Sequence, residues 1–147
     1  MGGSTIYIGS DHRGFELKND IRDYLKEQGY SVKDIGAHEY DRHDDYLVYA
    51  KKACDEVLKT DGRGILICGA GQGMTIAANK HRGIRAAPCW DIESAKRAKE
   101  HIDANVICFS SELIEGKQAK KMVTTWLGSK FLKKKRYIRR VRALNDM

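Results

Sequence analysis

Residues 64–80, GILICGAGQGMTIAANK, constrain this chain more than any other stretch. A short apolar run, Ile65, Leu66 and Ile67, stands between glycines and leads into Cys68. Such a run reads as a buried strand of a parallel sheet. Glycines recur at Gly69, Gly71 and Gly73, and the apolar, alanine-rich segment from Met74 reads as a helix. Strand, glycine loop and helix together aim backbone N–H groups and a positive helix end at an anion. In open α/β sheets ligands bind at the carboxyl edge of the strands, and Cys68 stands at that edge. A thiol near a helix N-terminus can have a lowered pKa. Two other readings fit the same residues. Free cysteine is among the most buried residue types, and glycines in such turns also serve packing alone. A dinucleotide loop is the third possibility. The spacing is G-x-G-x-G rather than G-x-G-x-x-G, yet an acid, Asp91, follows a later strand at a workable distance.

The same alternation runs through the chain. Residues 5–9 (TIYIG), 31–35 (SVKDI), 83–89 (GIRAAPC) and 105–109 (NVICF) read as further strands. Residues 14–28, 45–59, 92–101, 114–127 and 133–144 carry apolar positions at helical spacing. Strands alternating with helices predict a parallel sheet covered on both faces, with right-handed connections. The expected fold class is α/β: a Rossmann-like, doubly wound domain of five parallel strands with helices on both faces, plus a basic C-terminal helix. A length of 147 residues makes this one domain, 1–147, with a single well-buried core. Its carboxyl edge is expected to gather Asp11, His12, Cys68, the glycine loop and Asp91. The loop before the fifth strand is expected to add His101 and Asp103.

Composition narrows the function classes. With 41% hydrophobic and 32% charged residues the chain reads as a soluble globular protein. No apolar run approaches a membrane span. The N-terminus reads as lacking a signal peptide, and Gly2, Gly3 and Ser4 read as an appended remnant. Cys54, Cys68, Cys89 and Cys108 form no C-x-x-C pair, which argues against a zinc or redox motif. Scattered thiols fit a reducing compartment, the cytoplasm. The net charge of +7 is concentrated at the end, in Lys133, Lys134, Lys135, Arg136, Arg139, Arg140 and Arg142. No aromatic stacking platform accompanies this tail, so no nucleic-acid partner is expected. Arginines that bind a phosphorylated ligand or a neighbouring subunit are the sharper reading.

Cys68, His12, His101, Asp11 and Asp45 form a candidate acid–base set. A thiolate can take a proton from carbon next to a carbonyl, and loop amides can hold the enolate oxygen that forms. Histidine and aspartate can move protons between oxygens near neutral pH. Arg136 and Arg140, four apart on one helix face, can clamp a phosphate. These parts suit an isomerase acting on a phosphorylated sugar. Each has a plainer role as well. His101 can cap the end of its helix, and Asp11 can cap the helix starting near Gly14. His38, Asp41, His43 and Asp44 resemble a metal cluster, but such polar loops are more often solvated, and no metal is expected. Cys54, Cys89 and Cys108 lie in apolar stretches and belong to the core.

Taken together, several stretches resemble the type B ribose-5-phosphate isomerases and the related galactose-6-phosphate isomerase subunits. They are GSDHRGFELK (9–18), the Asp45–Tyr46 pair, ICGAGQGMTIAANK (67–80), GIRAA (83–87), the H-x-D-A-N run (101–105) and RRV (139–141). The resemblance covers nearly the whole chain. It implies a Rossmann-like fold, a homodimer or dimer of dimers with the active site between subunits, and no metal or organic cofactor. It implies interconversion of aldose and ketose phosphates through a cis-enediolate, with ribose 5-phosphate to ribulose 5-phosphate as the first expectation. A galactose- or allose-6-phosphate type of substrate, or a non-catalytic phosphometabolite binder, is the alternative. By the match, Cys68 is the base that shuttles the proton between C1 and C2. Asp11 and His12 contact sugar and phosphate. The amides of Gly69, Ala70, Gly71, Gln72 and Gly73 form the anion hole. His101 assists ring opening, with Asp45. Arg136 and Arg140, on a helix at about 133–146 packed on a partner, bind phosphate across the interface. A related branch uses a glutamate in the glycine loop as the base; here that position is Met74. The chain departs from the family at Ala70 (usually Thr or Ser), Ile102 (usually Asn) and Leu47 (usually Pro). Glu112 stands for an expected arginine and is expected to repel a phosphate. Lys134 and Lys135 replace glycines.

Overall fold

A computed structural model describes residues 3–147; Gly2, read above as part of an appended remnant, lies outside the described residues. Five strands form: β1 (Ile6–Ser10), β2 (Val32–Gly36), β3 (Arg63–Cys68), β4 (Ala86–Pro88) and β5 (Val106–Ser110). The helices are α1 (Phe15–Glu27), α2 (Tyr46–Thr60), α3 (Gln72–Asn79), α4 (Ile92–Ile102), α5 (Gly116–Gly128) and α6 (Lys135–Asn145), and a single 3-10 turn, His12–Gly14, leads into α1. The sheet order is β2-β1-β3-β5-β4, and every neighbouring pair is parallel. This is the doubly wound α/β fold that the alternation of elements predicts.

The pleat sorts β3 between two cores. Ile65 and Ile67 face the cluster under α1, α4 and α5, and Leu66 and Cys68 face the one under α2 and α3. Each fully buried Ile or Leu contributes about 1.5–3 kcal/mol, so a one-residue slip of this strand would misplace four apolar side chains at once.

β4 is shorter than the expected 83–89. Arg85 explains it, because its backbone N–H donates to Asn105 Oδ1 (2.8 Å) instead of to a neighbouring strand. Its guanidinium donates to the carbonyls of Ile102 and Asp103 and to Asn145 Oδ1. Lys18 is a charged residue within the core. It is fully buried, and its ammonium donates to both Asp34 oxygens (2.9 and 2.8 Å) and to the Ala37 carbonyl. Burial works to raise the Asp34 carboxyl, but Lys18, the Gly36 N–H and Arg22 together hold it below the ordinary value. This tie pins α1 to the end of β2, beside the site.

Candidate active site

The chain leaves β1 toward β2 and leaves β3 toward β4 and β5, so it departs in opposite directions from two adjacent strands. A crevice opens where such a reversal occurs, outside the carboxyl ends. The residues that follow β1 and β3 stand at that edge.

After β1 come Asp11 and His12. Asp11 Oδ1 accepts the N–H groups of Arg13 (3.1 Å) and Gly14 (3.4 Å), which is the capping role its position allows. It is nonetheless buried, and burial pushes its carboxyl up against the pull of those amides and of His12. His12 is fixed by Asp44. Both its backbone N–H (3.0 Å) and its Nδ1 (2.7 Å) lie on Asp44 Oδ1, and the Tyr49 hydroxyl donates to Asp44 Oδ2 (3.2 Å). Ligand atoms of Asp11, His12 and Asp44 lie within 4.8 Å of one another. One imidazole thus sits between two carboxylates, an arrangement suited to moving protons. Asp44 does not join His38, Asp41 and His43. Asp41 instead accepts the His43 N–H in a local turn (2.9 Å).

After β3 comes the glycine loop. The Gly71 N–H donates to Cys68 Sγ at 3.2 Å. Gly71 has φ +81 and caps α3; a Cβ there would meet Phe109 and Ser110 backbone at 3.1–3.2 Å, so the turn requires glycine. Gly73 lies beneath the Tyr46 ring, which a Cβ would meet at 2.5–2.8 Å. The N–H groups of Gln72 and Gly73 open α3 and have no intrahelical acceptor. Gly69 and Ala70 link Cys68 to this helix start. Cys68 is itself buried, and so are the other three cysteines. Cys54, Cys89 and Cys108 are core residues, and burial pushes the Cys54 and Cys89 thiols up to about 12 and the Cys108 thiol higher still. Asp45 is the exposed N-cap of α2 and accepts the Leu47 N–H at 2.9 Å.

Asp91 does not serve a dinucleotide loop. β5 separates β4 from β3, and Asp91 caps α4 reciprocally with Ser94, accepting its N–H at 2.6 Å.

His101 and Asp103 correct the expectation that they join this edge. α4 starts beyond the carboxyl end of β4 and runs back, so its last turn reaches the amino edge, just before β5 begins. There the His101 ring stacks on Tyr137 of α6 (centroids 4.9 Å, 26° between planes). The Arg136 guanidinium lies over the same Tyr137 ring at 4.6 Å. Arg136 and Arg140 are exposed and form no ion pair among the described residues. A groove of about 420 Å³ along α4 is lined by Pro88, Trp90, Arg97, His101 and Ile102. Ile102 packs against the core, which accounts for its apolar character.

Within one chain, then, the expected site residues form two groups at opposite edges of the sheet. Asp44, Tyr49 and Tyr137 support them and were not singled out from the sequence for these roles.

A parallel α/β sheet with a cysteine, an amide-lined loop and a carboxylate-flanked histidine at its switch point defines a class of ligand-binding α/β proteins. The Ribose/Galactose Isomerase family model matches residues 6–144. A ribose-5-phosphate isomerase B of Escherichia coli is 43% identical over 128 residues, 86% of this chain and 85% of that protein. The crystal structure of a ribose 5-phosphate isomerase from Thermotoga maritima aligns with a TM-score of 0.92 at 39% identity, covering 98% of this chain and 99% of that one. The Mycoplasma genitalium ribose-5-phosphate isomerase B with bound ribulose-5-phosphate aligns with a TM-score of 0.94 at 36% identity, covering 98% and 95%. The chain belongs to the ribose/galactose isomerase family. Among the described residues no helix is long and apolar enough to cross a membrane.

Proposed function

We propose that this chain interconverts ribose 5-phosphate and ribulose 5-phosphate, in a site completed by a second copy of itself. The observation that carries the chemistry is the Cys68 sulfur at the end of β3, accepting the Gly71 amide 3.2 Å away, beside the free amides that open α3. In this reading the Cys68 thiolate removes the C2 proton of the open-chain aldose. The enediolate oxygens rest on the amides of Gly69, Ala70, Gly71, Gln72 and Gly73. The proton returns to C1, while His12, set by Asp44 and Asp11, moves the hydroxyl proton between O2 and O1. No cofactor is required by this sequence of steps, since every proton lost is regained.

His101, Arg136 and Arg140 enter through the second copy and meet Asp45, which stands next to Asp44 at the start of α2 in the copy that carries Cys68. The first would open the sugar ring with Asp45, and the two arginines would hold the phosphate. Support comes from the grouping of His101 and Arg136 about Tyr137. Exposed apolar side chains at Leu47, Val48, Ile76, Trp90 and Ile92 also mark surfaces suited to a like partner. A homodimer or dimer of dimers follows from this reading, and four free thiols support a reducing, cytoplasmic setting.

Ala70, which lacks a hydroxyl beside the loop, favours a second reading in which a hexose phosphate is the substrate or turnover is absent. Incubation of ribose 5-phosphate and of hexose 6-phosphates in deuterated water distinguishes them. Deuterium at C2 with ketose formation from ribose 5-phosphate is the expected outcome. Exchange with a hexose phosphate instead reassigns the substrate, and exchange with none removes the catalytic reading.

A further inference from the structure

Glu112, following β5, sets a carboxylate beside the glycine loop, where an anionic substrate would be repelled. Arg13 answers that charge. Its Nη2 lies 2.7 Å from Glu112 Oε1. The pair lies against Gly69: a Cβ there would meet Arg13 Nη1 at 2.9 Å, Arg13 Cδ at 3.0 Å and Glu112 Oε1 at 3.0 Å. Both partners are rooted in the site. The Arg13 N–H donates to Asp11 Oδ1 (3.1 Å), the Glu112 N–H donates to the Gly69 carbonyl (3.2 Å), and the Ser111 N–H to the Cys68 carbonyl (3.0 Å).

Their side chains are nevertheless 58% and 50% exposed. Exposed ion pairs add little to stability and break easily, so stability does not account for holding a guanidinium here. Among the described residues Glu112 is its one ion-pair partner. Its remaining N–H groups suit bidentate binding of a phosphate, which is a stronger partner than an exposed carboxylate.

We infer that Arg13 binds the phosphoryl group of the substrate, and that Glu112 holds the guanidinium over Gly69 until the phosphate displaces it. The inference rests on the sugar-phosphate reading above and adds a cation contributed by the same copy that carries Cys68. Glu112 is then a competitor that sets affinity, not a bar to binding.

Steady-state kinetics with ribose 5-phosphate, and its inhibition by inorganic phosphate, test this in the full chain. Arg13→Gln raises KM and weakens phosphate inhibition, each by about 10- to 100-fold, with kcat within about threefold, as expected for a contact made equally in ground and transition states. Arg13→Lys recovers part of the loss, and Glu112→Gln lowers KM by about two- to tenfold by removing the competitor. If Arg13→Gln leaves KM and phosphate inhibition within about twofold, or changes kcat alone, Arg13 does not bind the phosphoryl group. Should Arg13→Gln not fold, the Arg13→Lys and Glu112→Gln shifts decide the matter. If the parent protein does not turn over ribose 5-phosphate, the substrate reading fails separately. Calorimetric titration of inorganic phosphate into parent and Arg13→Gln protein then decides the inference, equal affinities overturning it and weaker binding by the variant upholding it.

Discussion

The two edges of the sheet are built to different standards. At the carboxyl edge each functional group is tied down before any ligand arrives. His12 has two bonds to Asp44, Asp44 has a third from Tyr49, and Cys68 holds the Gly71 amide. At the amino edge His101 and Arg136 are held by one aromatic ring, and Arg140 stands exposed. A preorganised half can stabilise developing charge without reorganising. A half resting on stacking and exposed side chains needs a surface to lie against. On the proposed reading, the carboxyl edge is the place of proton transfer and the amino edge is a contribution to a neighbour.

The comparison is sharpened first at its strongest point. Cys68→Ala removes the proposed proton carrier and is expected to lower kcat by about a thousandfold, within the range that a positioned base supplies. Circular dichroism and a melting temperature within a few degrees of the parent, as expected for a small cavity at most, show that the fold survives. Residual turnover near the parent rate assigns the base elsewhere.

His101→Ala comes next. Loss of the proposed ring-opening group is expected to lower kcat/KM by about 10- to 100-fold, while stability falls by about 1 kcal/mol, the scale of one stacking contact of a half-buried ring. A large loss of stability with unchanged turnover would make His101 structural, a partner for Tyr137 alone.

Asp44→Asn tests the preorganised half through its support. Asparagine keeps the shape but weakens a charge-assisted bond to His12, and an effect of about tenfold on kcat is expected, equivalent to about 1.4 kcal/mol. Asp44 never touches the reacting carbons in this account, so KM should change less than kcat.

The smallest effect concerns Asp11. Burial raises its carboxyl above the ordinary 3.8 in the folded state. Below 3.8 both states hold the proton. As the pH rises through the window up to the raised value, the unfolded chain releases its proton first, so folding loses stability and keeps that loss above the window. Asp11→Asn lacks the titration yet retains an oxygen for the Arg13 and Gly14 amides. Its melting temperature relative to the parent should therefore rise across that window. A difference that stays flat with pH shows that Asp11 is not perturbed by burial.

Much of this was legible in residue order. Ile65, Leu66 and Ile67 announce a buried strand, and the glycines after Cys68 announce the loop that follows. The placement of His101 was also within reach, because a helix following a parallel strand runs back to the opposite edge of the sheet. Reading position 101 by its nearness in sequence to β5, without that reversal, sent it to the wrong end. Asp44 was harder to find. In AHEYDRHDD nothing separates the carboxylate that turns inward from those that stay in water; only the approach of His12, 32 residues away, selects it. Arg13 and Glu112 were equally hidden, since their meeting depends on two loops converging over Gly69.

Mixing two impaired variants tests the division of labour most directly. Cys68→Ala and His101→Ala proteins, unfolded and refolded together in equal amounts, would form mixed dimers in which one of two sites draws an intact half from each chain. With random pairing, about a quarter of the parent activity should return. If the mixture shows no more activity than the mean of its components while mixed oligomers demonstrably form, the two edges do not meet between copies, and the shared site is wrong.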